Sequence, residues 1–280
     1  MVQGIVLKVD SAKKTIVVSC AAIPGYMEAM VMPFKLREPQ NLTGIVPGAT
    51  VRFNMAEANG VSYAENLQVV QVSNYESEPT EAARLSFLER TMDPTMAAKL
   101  VHVGQAVPDF ALTDQARRVT YLSQFRGKVV VLTFSYSRCP NPNYCFRLSN
   151  NLSQLERRFR SSAKRDLILM TIVIAPDQDR GEALARYADT WKADPALWRF
   201  LTGSVADVRA VSELFGAAFW DDDGYLTHTF HTAVIDRDGR LAANLEGNQF
   251  TAEQLGDLVE TVMARPRQGV TASSPSSQGR

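Results

Sequence analysis

The stretch Ser137-Arg138-Cys139-Pro140-Asn141-Pro142-Asn143-Tyr144-Cys145 places two of the chain's three cysteines six positions apart. Before it, residues 128–134 form a short, continuous, β-branched apolar run, the pattern of a parallel strand buried on both faces. After it, Leu148, Leu152, Leu155 and Phe159 recur at intervals of four, three and four, while Arg147, Glu156, Arg157 and Arg160 fall mostly elsewhere, which predicts a helix over 145–160. The cysteines therefore occupy a strand-to-helix turn, with Cys145 near a helix N-terminus. Unpaired N–H groups and the macrodipole there favour an anionic thiolate. The competing reading is a structural disulfide or two buried apolar cysteines, and the expected exposure of the turn argues against it.

Outward from this turn, strands and helices alternate. Residues 110–113 and 118–122 read as a hairpin with Asp114-Gln115 near its turn, and 166–174 as a further β-rich apolar run. Residues 181–191 are helical in pattern, 198–201 a short strand, and 204–215 an amphipathic helix with Val205, Val208, Val211 and Leu214 on one stripe. Residues 232–235 lead through Asp238-Gly239 into 240–244 as a second hairpin, and Leu255, Leu258 and Val262 mark a closing helix. Alternating elements imply a central sheet flanked by helices, with function at the carboxyl ends of the strands, where the cysteine turn lies.

The first seventy residues differ in kind. Short β-type runs at 4–9, 14–20, 30–35, 50–55 and 62–72 are punctuated by Asp10-Ser11, Pro24-Gly25, Pro47-Gly48 and Asn59-Gly60. Five short strands in so little chain suggest a small closed barrel, since closure removes exposed edges. A polar segment at 73–79 and a helical composition at 80–91 follow, then Asp93-Pro94. The fold class expected is α+β in two domains: an OB-like five-stranded β-barrel at 1–72, a helical linker at 73–103, an α/β thioredoxin-like domain at 104–264, and a disordered tail at 265–280.

Bulk composition excludes several function classes. Thirty basic against 30 acidic residues in 280 give zero formal charge, so nothing points to nucleic acid or an anionic membrane. Three cysteines are too few for a disulfide scaffold. No apolar run approaches the roughly 20 residues of a membrane span. Residues 1–9 read as a strand and not as a leader, so the expectation is that any targeting or anchoring segment is absent from this chain. Oligomeric state is not encoded in any of these features.

Several motifs in order carry a family resemblance. The segments 104–110 and 122–128, Arg138-Cys139-Pro140, Pro176-Asp177-Gln178-Asp179 and Thr227-His228-Thr229 together resemble the Sco/SenC family of copper-handling thioredoxin-like proteins, over about residues 104–264. The resemblance implies that Cys139, Cys145 and His228 bind copper. Its usual spacing is C-x-x-x-C, whereas this chain has C-x5-C, and Ala175 stands where the family often has Asp before Pro176. Two thiolates and one imidazole suit Cu(I), imidazole also accepts Cu(II), and an open position lets metal pass to a partner; zinc also accepts Cys2His. His231 is the competitor of His228, pointing elsewhere, while His102 reads as a bystander. The run Asp221-Asp222-Asp223-Gly224 reads as a solvated turn, with a docking patch for a basic partner as the alternative.

The barrel carries a sulfur cluster of its own. Three of nine methionines, Met27, Met30 and Met32, fall within six residues, and Met30 and Met32 share a strand face. A core stripe of adaptable methionines is the ordinary reading. With Cys20 to Gly25 before it, however, the segment resembles the CusF-like copper-binding barrel over about residues 3–72. That resemblance implies Met30 and Met32 as ligands, Cys20 in the place of a histidine, and Met27 nearest the place of a tryptophan. A thiolate with thioethers is still a soft set suited to Cu(I).

The resemblances imply a copper metallochaperone of the periplasm or cell envelope. The barrel would capture Cu(I), and the thioredoxin-like domain would supply copper to an accepting subunit of cytochrome c oxidase or another cell-envelope protein. An enzymatic alternative is a thiol:disulfide oxidoreductase with Cys139 and Cys145 as its redox pair. Thr227-His228-Thr229 stands where reductases of the fold carry a proline, which favours metal. A peroxidase is a third reading, weakened because Tyr136 and Pro142 occupy the offsets where that family has Thr or Ser.

Overall fold

Strand β1, Val2–Asp10, turns apolar residues to both of its faces between Ile5 and Leu7, and those faces belong to two different cores. In the computed structural model, which describes residues 1–37, 45–70, 99–139, 145–160, 166–222 and 225–266, β1 joins β2 (Thr15–Cys20), β3 (Met30–Leu36), β4 (Thr50–Ala58) and β5 (Val61–Val69) in a closed barrel. The strand order is β1-β2-β3-β5-β4, with β3 and β5 closing the ring in parallel. Val2, Val6, Ile16, Val18, Phe34 and Phe53 fill it, the two phenyl rings meeting edge to face at 4.7 Å. Gly4 has no substitute here: a Cβ would lie 2.5 Å from the Ser19 carbonyl oxygen and from Val18.

The second body is a seven-stranded sheet of order β14-β13-β8-β9-β10-β6-β7. Its strands are β6 (Ala111–Asp114), β7 (Val119–Tyr121), β8 (Val129–Ser135), β9 (Leu167–Val173), β10 (Trp198–Thr202), β13 (His231–Ile235) and β14 (Leu241–Glu246). Central β8 and β9 are parallel and buried along their whole length, as the unbroken apolar runs require. Helices α1 (Cys145–Phe159), α2 (Glu182–Thr190) and α4 (Ala252–Met263) pack on the face bearing Val129, Val131 and Leu169. Helix α3 (Val205–Leu214) packs on the face bearing Val130, Leu132 and Phe134. Ser204 with Asp207, and Thr251 with Gln254, close reciprocal capping boxes at the starts of α3 and α4.

The expected OB-like barrel and thioredoxin-like α/β domain are both present. One element departs from expectation. The acidic run is not simply a turn, because Phe219–Asp222 (β11) and Tyr225–His228 (β12) pair as a two-stranded ribbon. Aromatic and β-branched residues flanking the aspartates supply the strand propensity that the charges masked. The side chains of Asp221 and Asp222, like Asp223 and Gly224, lie outside the described residues. So do 71–98, which hold most of the expected helical linker, and 267–280 of the expected tail.

Candidate metal and thiol sites

The buried strand β8 ends at Ser135, and the chain then turns through Tyr136 to Cys139, whose N–H donates to the Tyr136 carbonyl at 3.2 Å. A carboxylate from the next strand end fixes this turn. Asp179, 2% exposed, accepts the Ser137 hydroxyl and, at 3.4 Å, the Ser137 N–H. Asp179 is itself held because its N–H and that of Gln178 donate to the Ala175 carbonyl, closing a turn directly after β9. In the sequence Asp179 stands only as the last residue of the Pro176–Asp179 motif, with no anchoring role assigned to it. A proline-initiated turn with an acidic residue at its close was the available signal.

Cys145, the first residue of α1, is buried, and its Sγ lies 3.2 Å from Nε2 of His228. Cys139, partly exposed, hydrogen-bonds the same thiol, and neither cysteine is in a disulfide. His228 ends β12 opposite Phe219. The base of that ribbon is pinned by Thr229 N–H to the Ala218 carbonyl and Ala218 N–H to the Thr229 hydroxyl, each 2.9 Å. Residues from four elements thus converge, although they lie up to 89 positions apart (139 to 228).

Their protonation states are coupled. The hydrogen bond with Cys139, then burial, then the charge that Cys139 would carry push the Cys145 thiol far above its ordinary range. This corrects the expected helix-stabilised thiolate: a buried thiol with a second thiol beside it loses more by ionising than the helix terminus returns. Burial pulls His228 down to about 4, so the imidazole is neutral near pH 7. Its Nδ1 is 2.9 Å from the Thr229 carbonyl, which can only accept; the proton therefore sits on Nδ1, and the Nε2 lone pair faces Cys145. Among the described residues, no three His, Cys, Asp or Glu side chains form a ready-made cation cage. The trio is a hydrogen-bonded series whose protons a metal would replace.

His231 does not join it. Its ring faces the Gly216 turn and Asn244, as the expectation of a different direction required, and burial lowers it to about 4. His102 is exposed, its N–H donating to the Gln105 side chain.

In the barrel, Cys20 stands directly across from Met30, and Val18 from Met32. Alternation along β2 and β3 puts Cys20, Met30 and Met32 on the inward side. Met32 and Met27 pack against the barrel core, Met27 bridging back to Ile23, while Met30 is 45% exposed at the rim. Cys20 is buried, donates to the Val18 carbonyl at 3.7 Å, and is pushed up to about 12 by burial. The four sulfur residues thus gather at one end of the barrel, with graded access.

An OB-like barrel joined to a thioredoxin-like sheet, with two thiols and an imidazole meeting at a strand end, defines the class: a two-domain thiol–imidazole protein. Residues 100–264, more than half of the chain, match the model of the SCO1/SenC family, and the chain belongs to that family. Residues 1–68 match the model described as copper binding periplasmic protein CusF. The chain is 30% identical over 183 residues to "Protein SCO2 homolog, mitochondrial" of Bos taurus, covering 62% of this chain and 65% of that one. The Homo sapiens protein of the same name is 30% identical over 178 residues, covering 61% and 64%. This chain therefore spans slightly less than two thirds of these relatives. The fold is shared with a SCO1/SenC family lipoprotein from Bacillus anthracis (TM-score 0.50, 22% identity, 58% of this chain and 98% of that one). It is likewise shared with yeast Sco1 with copper bound (TM-score 0.50, 20% identity, 59% and 92%).

Proposed function

We propose that this chain is a copper-handling protein of the periplasm or cell envelope. It binds copper through Cys139, Cys145 and His228 and supplies it to a copper-accepting subunit of cytochrome c oxidase or to another cell-envelope protein. The observation that carries the reading is the 3.2 Å approach of Cys145 Sγ to His228 Nε2, with Cys139 on the same thiol. Two sulfurs and an unprotonated nitrogen are a soft-to-borderline donor set suited to Cu(I). His228 is ready for it, because the Thr229 carbonyl fixes the ring with Nε2 forward. The thiols are not ready, so binding releases protons and tightens as pH rises. Three protein ligands leave a position through which an acceptor's ligand enters before these let go.

The barrel supplies a second Cu(I) site from Cys20, Met30 and Met32, with Met27 alongside. Support comes from the register that sets Cys20 against Met30 and from the match of residues 1–68 to a copper-binding family. Titration of the full chain with Cu(I) under reducing conditions tests both sites. Two equivalents are expected, falling to one in Cys139→Ser/Cys145→Ser and to one in Cys20→Ser/Met30→Leu; no binding at all would sink the reading.

The hydrogen-bonded thiol pair also favours a second reading, thiol:disulfide exchange. The Cys139 thiolate, the more exposed, attacks a partner disulfide; Cys145 then resolves the mixed disulfide, leaving the partner reduced and this chain oxidised. Reduction of a small disulfide at an undiminished rate by His228→Ala would favour this reading, since exchange has no need of the imidazole.

A further inference from the structure

The barrel is built into the sheet domain rather than tethered to it. Ile5 and Leu7 point out of the barrel, yet are 2% and 1% exposed, because they belong to the apolar cluster of α1 and α4 that includes Leu258 and Val262. Val17 on β2 packs against the same cluster. A polar lock adjoins it: the Ser19 hydroxyl donates to Asp257 at 2.8 Å, and the Gln254 side-chain amide donates to the Ser19 carbonyl at 3.2 Å. Asp257 is in turn held by Arg158 of α1 at 2.9 Å. On the other side of β1, Gly48 sits so close to β14 that a Cβ would lie 3.1 Å from that of Ala243. The strand carrying Cys20 inward is therefore gripped from outside through its neighbour, Ser19.

The same contacts set how far along α1 the docked strand β2 lies from Cys145. Asn151 donates to the Phe250 carbonyl at 3.1 Å and Arg158 to Asp257 at 2.9 Å, seven positions on in each segment (151 to 158, 250 to 257), so α1 and α4 run side by side in one direction. Ser19, on Gln254 and Asp257, is thus level with the part of α1 around Leu155 to Arg158. Cys145 lies about ten residues back along α1, or about 15 Å at the helical rise of ~1.5 Å per residue. Direct ligand exchange needs one ion to touch both donor sets, with metal–sulfur bonds of about 2.3 Å. A docked barrel and the thiol pair of the same chain do not meet that condition.

We infer that the barrel is a fixed body on α4, and that copper bound there leaves for a second protein molecule and not for Cys139 and Cys145 of its own chain. This rests on the two-site reading proposed above. Copper stays Cu(I) throughout, and the step is an exchange of ligands, with the protons lost by the receiving thiols taken up by the vacated Cys20 and by solvent. Opening the interface instead would put Ile5 and Leu7 into water, so the intramolecular route is the costly one.

Two measurements test the inference on the full chain. In 15N relaxation, amides of the barrel and of the sheet domain are expected to report one rotational correlation time; two distinct times would overturn the docking. For the route, the wild-type chain is loaded with one equivalent of Cu(I) while Cys139 and Cys145 are paired as a disulfide, and the disulfide is then reduced. Arrival of copper at the thiols, read by their protection from alkylation, is expected to slow about tenfold on tenfold dilution. A rate unchanged by dilution would overturn the inference. Mixing copper-loaded Cys139→Ser/Cys145→Ser with apo Cys20→Ser/Met30→Leu is expected to give transfer at a rate proportional to acceptor concentration, and no transfer would also overturn it. A wild-type chain that binds a single equivalent is a different result: it removes the barrel site from the proposed function and leaves the docking to be judged by relaxation.

Discussion

The two sulfur sites of this chain face opposite problems. At the sheet end, the donors come from distant segments and are held by outer partners: Asp179 on the turn before Cys139, the Thr229 carbonyl on His228, the Phe219 pairing beneath it. In the barrel, the donors come from adjoining strands and are placed by register alone, with Cys20 sunk in the core and Met30 at the rim. Orientation by outer hydrogen bonds gives a site with a defined ring direction and a shared proton. Register gives a site whose thioethers need no deprotonation and whose single thiol is held protonated by burial. Under the proposed copper-handling function, the first would serve exchange with a partner and the second capture.

The largest effect expected is at the sheet-end site. Cys145→Ser or His228→Ala removes a proposed ligand, and Cu(I) affinity there should fall by more than the roughly 10–100-fold typical of an outer-shell change, while the proposed barrel equivalent survives in a competition titration. Equal loss at both sites would break the comparison. Next is the interface, where Leu7→Ala should destabilise the whole chain by about 2–5 kcal/mol, read as a loss in both bodies during thermal unfolding rather than in the barrel alone.

Acid should then separate the two regions. His228 and His231 each fall to about 4 in the folded chain from a usual 6.5, so the unfolded chain binds more protons between those values. Stability is therefore complete above about pH 6.5 and is lost as pH falls towards 4, on the order of 3 kcal/mol per group. Cys20 moves the other way, from 9 to about 12, so its contribution is complete below pH 9 and is lost as pH rises through 12; Cys145, also pushed up, puts a loss on the same alkaline side in the sheet domain. Denaturant melts at pH 4.5, 7 and 10 check both, and His228→Gln should flatten the acid side.

Two smaller effects sharpen the contrast in positioning. Asp179→Ala frees the Ser137 turn and should weaken copper at the sheet end about tenfold without touching the barrel. Ser19→Ala removes one interdomain hydrogen bond, about 1 kcal/mol of stability, with no change in the sheet-end affinity.

Much of this molecule was legible because its signals are local. The unbroken apolar runs gave β8 and β9, the spacing of Leu148, Leu152, Leu155 and Phe159 gave α1, and paired turn residues marked the barrel strands. Asp179 was not legible as an anchor, since what makes it one is the Ser137 hydroxyl 42 positions away. The ionisation of Cys145 is not legible for the same reason. A helix N-terminus is visible in sequence, but burial and a neighbouring thiol are not.

By itself, the sequence determined the two-body α+β plan, the placement of thiols after a buried strand, and the pairing of Met30 with Met32 on one face, because period, turn chemistry and composition act between near neighbours. Only the tertiary structure decided which histidine meets Cys145, that this thiol stays protonated, and that Ile5, Leu7 and Ser19 fasten the barrel to α4. Those outcomes depend on desolvation and on contacts between segments up to 238 positions apart, and no local pattern of residues carries either.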